Sequence, residues 1–131
     1  MNKLRCVHPR HYVDKQEKLS RFVTDFEYIK NGNINQSVFK ADKSNTLSVY
    51  RTTRCKPKYI WYLCETYFNA QAVGRVEILA ADILEKGLDF NPDGKPHTRH
   101  ANIIKWNTNK PDDLRIRQEL ARVSKIFRRP E

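Results

Sequence analysis

Leu19, Phe22, Val23 and Phe26 recur at spacings of three and four, with Ile29 close to the same stripe. That period places side chains on one face of a helix. Asp14 followed by Glu17 reads as a variant capping box ahead of the stripe, and Asn31-Gly32 reads as its stop. A helix over 15–30 is therefore expected, with its Phe-rich face in the core. Residues 31–46 are polar and show no apolar period beyond Val38-Phe39, so they read as a long loop. Leu47 to Arg51 then alternates with period two: Leu47 and Val49 would face a core, Ser48 and Tyr50 the other side.

Pro57 suits the first turn of a second helix, because a proline there forfeits no hydrogen bond. Ile60, Leu63, Cys64, Tyr67 and Phe68 follow at helical intervals, and Trp61 and Tyr62 widen the stripe, which gives a helix near 57–70. Val73 to Ala80 reads as a strand, and Ala81 to Gly87 as its extension or as one or two helical turns. Asn91-Pro92-Asp93-Gly94 is a turn signal. Beyond it Arg99 to Trp106 alternates again, with His100, Asn102, Ile104 and Trp106 on one side. Pro111, Asp112 and Asp113 open a last helix and Arg128-Arg129 close it, each charge complementing the dipole at its end. Ile116, Leu120, Val123 and Phe127 form its buried stripe over 111–128.

The resulting order, α-β-α-β-β-α, implies an α+β fold: a small, mostly antiparallel sheet packed against about three helices. Three strands are few for 131 residues, so a further strand is expected within 31–46 or 83–91. Neither a linker nor an internal repeat divides the chain, which points to a single domain over 1–131. Fourteen aromatic residues (six Phe, six Tyr, two Trp) argue against disorder.

Charge changes the picture most. The formal net charge is +10, and it is segregated. Residues 1–58 carry 13 Lys/Arg against 5 Asp/Glu, residues 59–94 carry 2 against 6, and residues 95–131 carry 10 against 4. Such an excess favours polyanions through counterion release, with nucleic acid the first expected partner and an acidic protein the second. Cys6, Cys55 and Cys64 are odd in number and widely spaced, so no disulfide framework is expected. Met1 to Pro9 has no apolar run, and no stretch is long enough to span a bilayer. A cytoplasmic protein without a membrane partner is the expectation.

Four cations fall within the eight residues Arg51, Thr52, Thr53, Arg54, Cys55, Lys56, Pro57 and Lys58, between a strand and a helix. Arginine offers a planar fork to phosphate, lysine a point charge, and the helix start adds backbone amides. Tyr59, Trp61 and Tyr62 stand beside them as candidate stacking platforms. Arg115, Arg122 and Lys125 would add charge from the last helix, and Arg99 from the strand before it. Contacts of this kind hold a phosphate backbone without reading bases.

The enzymatic alternative is a metal-independent ribonuclease or toxin, in which His97 and His100 act as acid and base and a nearby cation stabilises the phosphorane. ADP-ribosyl transfer would use a strand ending in Tyr50-Arg51, with Glu77 or Glu119 to supply the acid. Cys6, His8, His11, His97 and His100 could supply zinc ligands, but their spacing matches no common pattern, so no metal or other cofactor is expected. Phosphate-binding glycine loops, the dinucleotide fingerprint and the nucleophile elbow are all absent from the sequence.

Overall fold

The computed structural model describes residues 10–106 and 109–130. Cys6 and His8 lie outside the described residues. Among the described residues six strands form one antiparallel sheet: β1 (Lys18–Val23), β2 (Leu47–Arg51), β3 (Gly74–Leu79), β4 (Asp89–Asn91), β5 (His100–Ile104) and β6 (Lys125–Arg128). Their spatial order is β4-β5-β2-β1-β3-β6. Three α-helices accompany them, α1 (Pro57–Tyr67), α2 (Ala80–Glu85) and α3 (Lys110–Val123), with short 3-10 segments at Phe26–Gly32 and Gln36–Phe39. The fold is α+β.

Alternation along the strands sorts the sheet into two faces. Leu19, Val23, Leu47, Val49, Val76, Ile78, Ala101 and Ile103 point to one side, where Ile83 of α2, Ile116 and Leu120 of α3, and Ile29, Val38 and Phe39 complete the main core. Phe22 and Tyr50 point to the other side and pack under Ile60, Leu63 and Cys64 of α1. Between them stand polar side chains of the same alternation: Ser20, Ser48, Arg75, Glu77, His100 and Asn102. Arg75 Nη1 donates to Ser20 Oγ (2.8 Å) and to Glu77 Oε2 (3.0 Å), while its guanidinium lies 4.2 Å from the centre of the Phe127 ring.

The helix expected over 15–30 is instead β1 followed by a 3-10 segment. β1 lies between β2 and β3 and buries both faces, so Leu19 and Val23 on one side and Phe22 on the other happen to reproduce a helical spacing. Half of the Asp14–Glu17 box forms, with Asp14 N–H donating to Glu17 Oε2 (2.6 Å), while the Asp14 carboxylate accepts from Gln16 N–H (2.9 Å), and it closes a turn ahead of the strand. Residues 31–46 gain the 3-10 turn that buries Val38 and Phe39 and contain no strand, whereas 83–91 yields β4.

The last helix stops at Val123. Ser124 is extended, its Oγ donates to the Leu120 carbonyl (2.6 Å), and the chain turns into β6 against β3. Phe127 therefore leaves the predicted buried stripe for an edge strand, where it is exposed together with Val123. Gly74 sits in a close approach: a Cβ there would come within 2.8 Å of Ile29 Cδ1 and 3.1 Å of the Phe127 carbonyl, so a larger residue would need the Ile29 side chain and the β6 backbone to shift.

One ion pair fixes the start of the domain. Arg51 is 2% exposed and meets Glu17 through two contacts, Nε to Oε1 and Nη2 to Oε2, both 2.8 Å. Its remaining reach goes to the main-chain carbonyls of Arg10 (2.7 Å) and Tyr12 (2.6 Å). A buried cation is tolerated only when paired and hydrogen-bonded in this way.

Candidate functional site

The expected cations fall into three groups. Arg51 is consumed by Glu17 and two carbonyls, so it cannot meet a ligand phosphate. Arg99 is also buried: Nη1 donates to the Arg51 carbonyl (3.1 Å), the guanidinium lies 5.9 Å from the Tyr59 ring centre, and burial pulls its pKa down. These two belong to the scaffold. Arg54, Lys56 and Lys58 are exposed beside the first turn of α1, and Arg54 takes a left-handed conformation (φ 57°) that turns the chain into that helix. Lys56 caps α1 without a side-chain hydrogen bond to its first amides.

Arg115 lies within 3.6 Å of Glu119 and 4.0 Å of Asp112 on its own helix, while Arg122 and Lys125 are exposed. Because α1 and α3 cover opposite faces of the sheet, the sequence-predicted cations do not make one continuous surface.

Aromatic rings extend the α1 group. Tyr62 is 49% exposed and stacks on Tyr59 at 5.9 Å between centroids, with an interplanar angle of 24°. Tyr67 lies edge-on to Tyr62 and 5.0 Å from the His97 ring. Along the outer flank of α1, Lys58, Trp61, Tyr62 and Arg129 line a shallow pocket of about 350 Å³.

The two histidines occupy separate networks. Arg99 N–H donates to His97 Nδ1 (3.1 Å), which leaves the proton of the neutral ring on Nε2, 3.4 Å from the Tyr59 hydroxyl. His100, 6% exposed, has the opposite tautomer. Its Nδ1 lies 2.7 Å from Asp93 Oδ1, a carboxylate that can only accept, so the neutral ring presents Nε2 as acceptor to Ser48 Oγ at 3.0 Å. Asn102 Nδ2 donates to the second oxygen of Asp93 (3.0 Å). The two residues are joined through the main chain, His100 N–H donating to the His97 carbonyl (2.9 Å), while their rings bond to different partners.

Ser48 and His100 open on a cavity of about 290 Å³ whose walls include Arg21, Lys40, Tyr50 and Tyr67. Local strand geometry explains the opening. β1 and β2 pair only through Leu19–Arg51 and Ser20–Tyr50. Beyond that point the Arg21 guanidinium bridges them, with Nη1 donating to the Ser48 carbonyl (3.0 Å) and Nε to the Val38 carbonyl (3.1 Å). Burial lowers the Arg21 pKa, against an opposing pull from Asp42. Burial likewise raises the Tyr50 hydroxyl.

Of this constellation the sequence singled out His100 alone. Ser48 stood out only as a residue turned away from the core, Asp93 only as part of a turn, and Arg21 was hidden inside the expected helix. The signal that could have found them was pairing: Ser48 and Asn102 are register partners on β2 and β5, as are Tyr50 and His100. Glu77 and Glu119, weighed for ADP-ribosyl transfer, are paired with Arg75 (3.0 Å) and Lys86 (2.6 Å).

Comparison with known families, curated proteins and solved structures finds no match. Function must be argued from geometry. Among the described residues no group of three or more His, Cys, Asp or Glu is placed to hold a metal, and no helix is long and apolar enough to cross a membrane. Cys55 is disulfide-bonded, which its spacing did not lead us to expect, whereas Cys64 is a buried free thiol.

Proposed function

We propose that the protein binds nucleic acid on the α1 side of its sheet, chiefly through phosphates and without base readout. The observation that carries this reading is the juxtaposition of three exposed cations, Arg54, Lys56 and Lys58, with the stacked Tyr59–Tyr62 pair at one end of one helix. Phosphates would meet the cations and the uncapped amides of the helix start, and unpaired bases would stack on Tyr62. Arg122 and Arg115 contribute long-range attraction from the far side, Arg115 beside the carboxylates of Asp112 and Glu119, and Lys125 adds to it from the edge strand β6.

Fluorescence anisotropy against labelled single- and double-stranded DNA and RNA over a salt series tests the proposal. Affinity should fall steeply with salt, and Tyr62→Ala should weaken single strands more than duplexes. A slope near zero overturns it, because neutralising phosphates must release counterions.

A second reading, an acidic protein partner, is favoured by a separate groove of about 960 Å³ lined by Arg122, Lys125, Ile126, Phe127 and Ile34. Its mixture of charge and exposed apolar surface suits a protein better than a phosphate backbone. Co-purification with an acidic protein that survives nuclease treatment would support it over the first. The ribonuclease alternative would use His100 at the cavity wall, with His97 outside that cavity and bonded to Tyr59 and the Arg99 main chain. Cytoplasmic location stays part of the proposal on the strength of the free Cys64 thiol, with the disulfide at Cys55 pulling the other way.

A further inference from the structure

A buried histidine bonded on both nitrogens is most simply a structural link between strands. Three features set His100 apart. Its acceptor nitrogen faces a hydroxyl, and that hydroxyl belongs to a half-buried serine on the wall of a cavity. On its far side the ring is oriented by a carboxylate, itself fixed by Asn102. The third feature is the cavity wall, where Arg21, donating to the main-chain carbonyls of Ser48 and Val38, and Lys40 stand with the single carboxylate of Asp42. A nucleophile bonded to a base and a base bonded to an orienting acid, at a cavity with cations in its wall, are the arrangement that nucleophilic catalysis needs.

We propose that Ser48 is a catalytic nucleophile, with His100 as its general base and Asp93 as the positioning residue, and that the cavity beside Arg21 takes a phosphodiester. The nucleophile assignment stands on the site alone. The choice of a phosphodiester rests on the nucleic-acid reading above, together with Arg21 and Lys40 in the cavity wall, which outnumber its one carboxylate, Asp42.

In the first step Ser48 Oγ attacks phosphorus and its proton passes to His100 Nε2. The Oγ–P bond forms as the bond to the leaving oxygen breaks, and His100 returns the proton to that oxygen. Arg21 neutralises charge on the non-bridging oxygens. In the second step His100 takes a proton from water, the hydroxide displaces Oγ from phosphorus, and the proton returns to Ser48. The sum is a phosphodiester plus water giving a phosphomonoester and an alcohol, with no oxidant, reductant or metal required. His97 is outside this scheme.

The test uses the whole chain with two probes: a fluorophosphonate that labels activated serines, and bis(p-nitrophenyl) phosphate, with p-nitrophenyl acetate as comparison. Labelling should map to Ser48, and diester hydrolysis should fall about a thousand-fold in Ser48→Ala and His100→Gln. Ser44→Ala, a change at an exposed hydroxyl, should leave both intact. Because Ser48→Ala removes a single oxygen, near-UV circular dichroism should match the parent protein and separate lost chemistry from lost fold.

Asp93→Asn should lower the turnover rate with KM nearly unchanged, the split that marks a residue acting through His100. No labelling and no hydrolysis by the folded parent protein overturns the proposal. So does hydrolysis that survives Ser48→Ala, or hydrolysis of the acetate alone. The small diester does not need the α1 surface, so combining Arg54→Ala, Lys56→Ala and Lys58→Ala should weaken nucleic-acid binding and its salt dependence while sparing cleavage. The two proposals can thus fail separately.

Discussion

The two faces of the sheet are built by the same strands, yet they are filled on different terms. Toward α2 and α3 nearly every inward position is aliphatic, from Leu19 through Ile103, and the contacts are non-directional. Toward α1 the apolar cluster is smaller, and serine, histidine, arginine and glutamate are kept between Phe22 and Tyr50 in directed hydrogen bonds. Burying such groups costs free energy unless every partner is in place, so the second face contributes definition at a few atoms more than stability. Volume holds the first face together, and geometry defines the second. The proposed Ser48–His100–Asp93 chemistry sits on the second.

That division can be broken by substitution. The largest loss should follow Arg51→Ala, which strands Glu17 and two carbonyls and should cost about 3–5 kcal/mol in denaturant unfolding. Salt dependence of nucleic-acid binding should be unchanged, because Arg51 reaches no solvent. Next, Leu120→Ala on the aliphatic face should cost about 2–5 kcal/mol and spare Ser48 labelling in the fraction that remains folded. Ser48→Ala on the polar face should cost only about 0.5–1.5 kcal/mol while removing the labelling altogether. A comparable loss of stability from Leu120→Ala and Ser48→Ala would erase the contrast.

Replacing Arg54, Lys56 and Lys58 by alanine together should move stability by less than about 0.5 kcal/mol per site. The same change should reduce the slope of log affinity against log salt by about 2 for single strands.

The mildest effect concerns pH. Burial pushes the Cys64 thiol up to about 11, so the folded protein holds a proton that the unfolded chain releases nearer the ordinary thiol range. Stability on this account is full below that range and falls as pH rises through it toward the folded value. Replacing Cys64 by alanine should remove that alkaline slope, as followed by urea midpoints across pH.

Much of this architecture was legible in the chain. β2, α1, β3 and β5 were readable because each has one dominant face, or a proline at its start, and the 91–94 turn because its residues favour nothing else. β1 was not, since a strand buried on both sides loses its alternation. The end of α3 was misplaced because Phe127 keeps the helical period by coincidence after Ser124 has already turned extended. At the site, residue type revealed the cations and His100. It could not show that Arg51 and Arg99 are buried, nor that Ser48, 52 positions from His100, is its bonding partner. Such facts belong to strand register, which only the folded sheet defines.

The clamp at Arg51 also bears on where the domain can be cut. Its guanidinium draws on the carbonyls of Arg10 and Tyr12, eight and six positions ahead of the first strand. A shortened version begun at β1 for crystallisation or display would keep all six strands and still leave a buried cation short of acceptors. Fusion partners and affinity tags therefore belong before residue 10, and a library intended to vary this scaffold should treat 10–17 as framework and not as a leader.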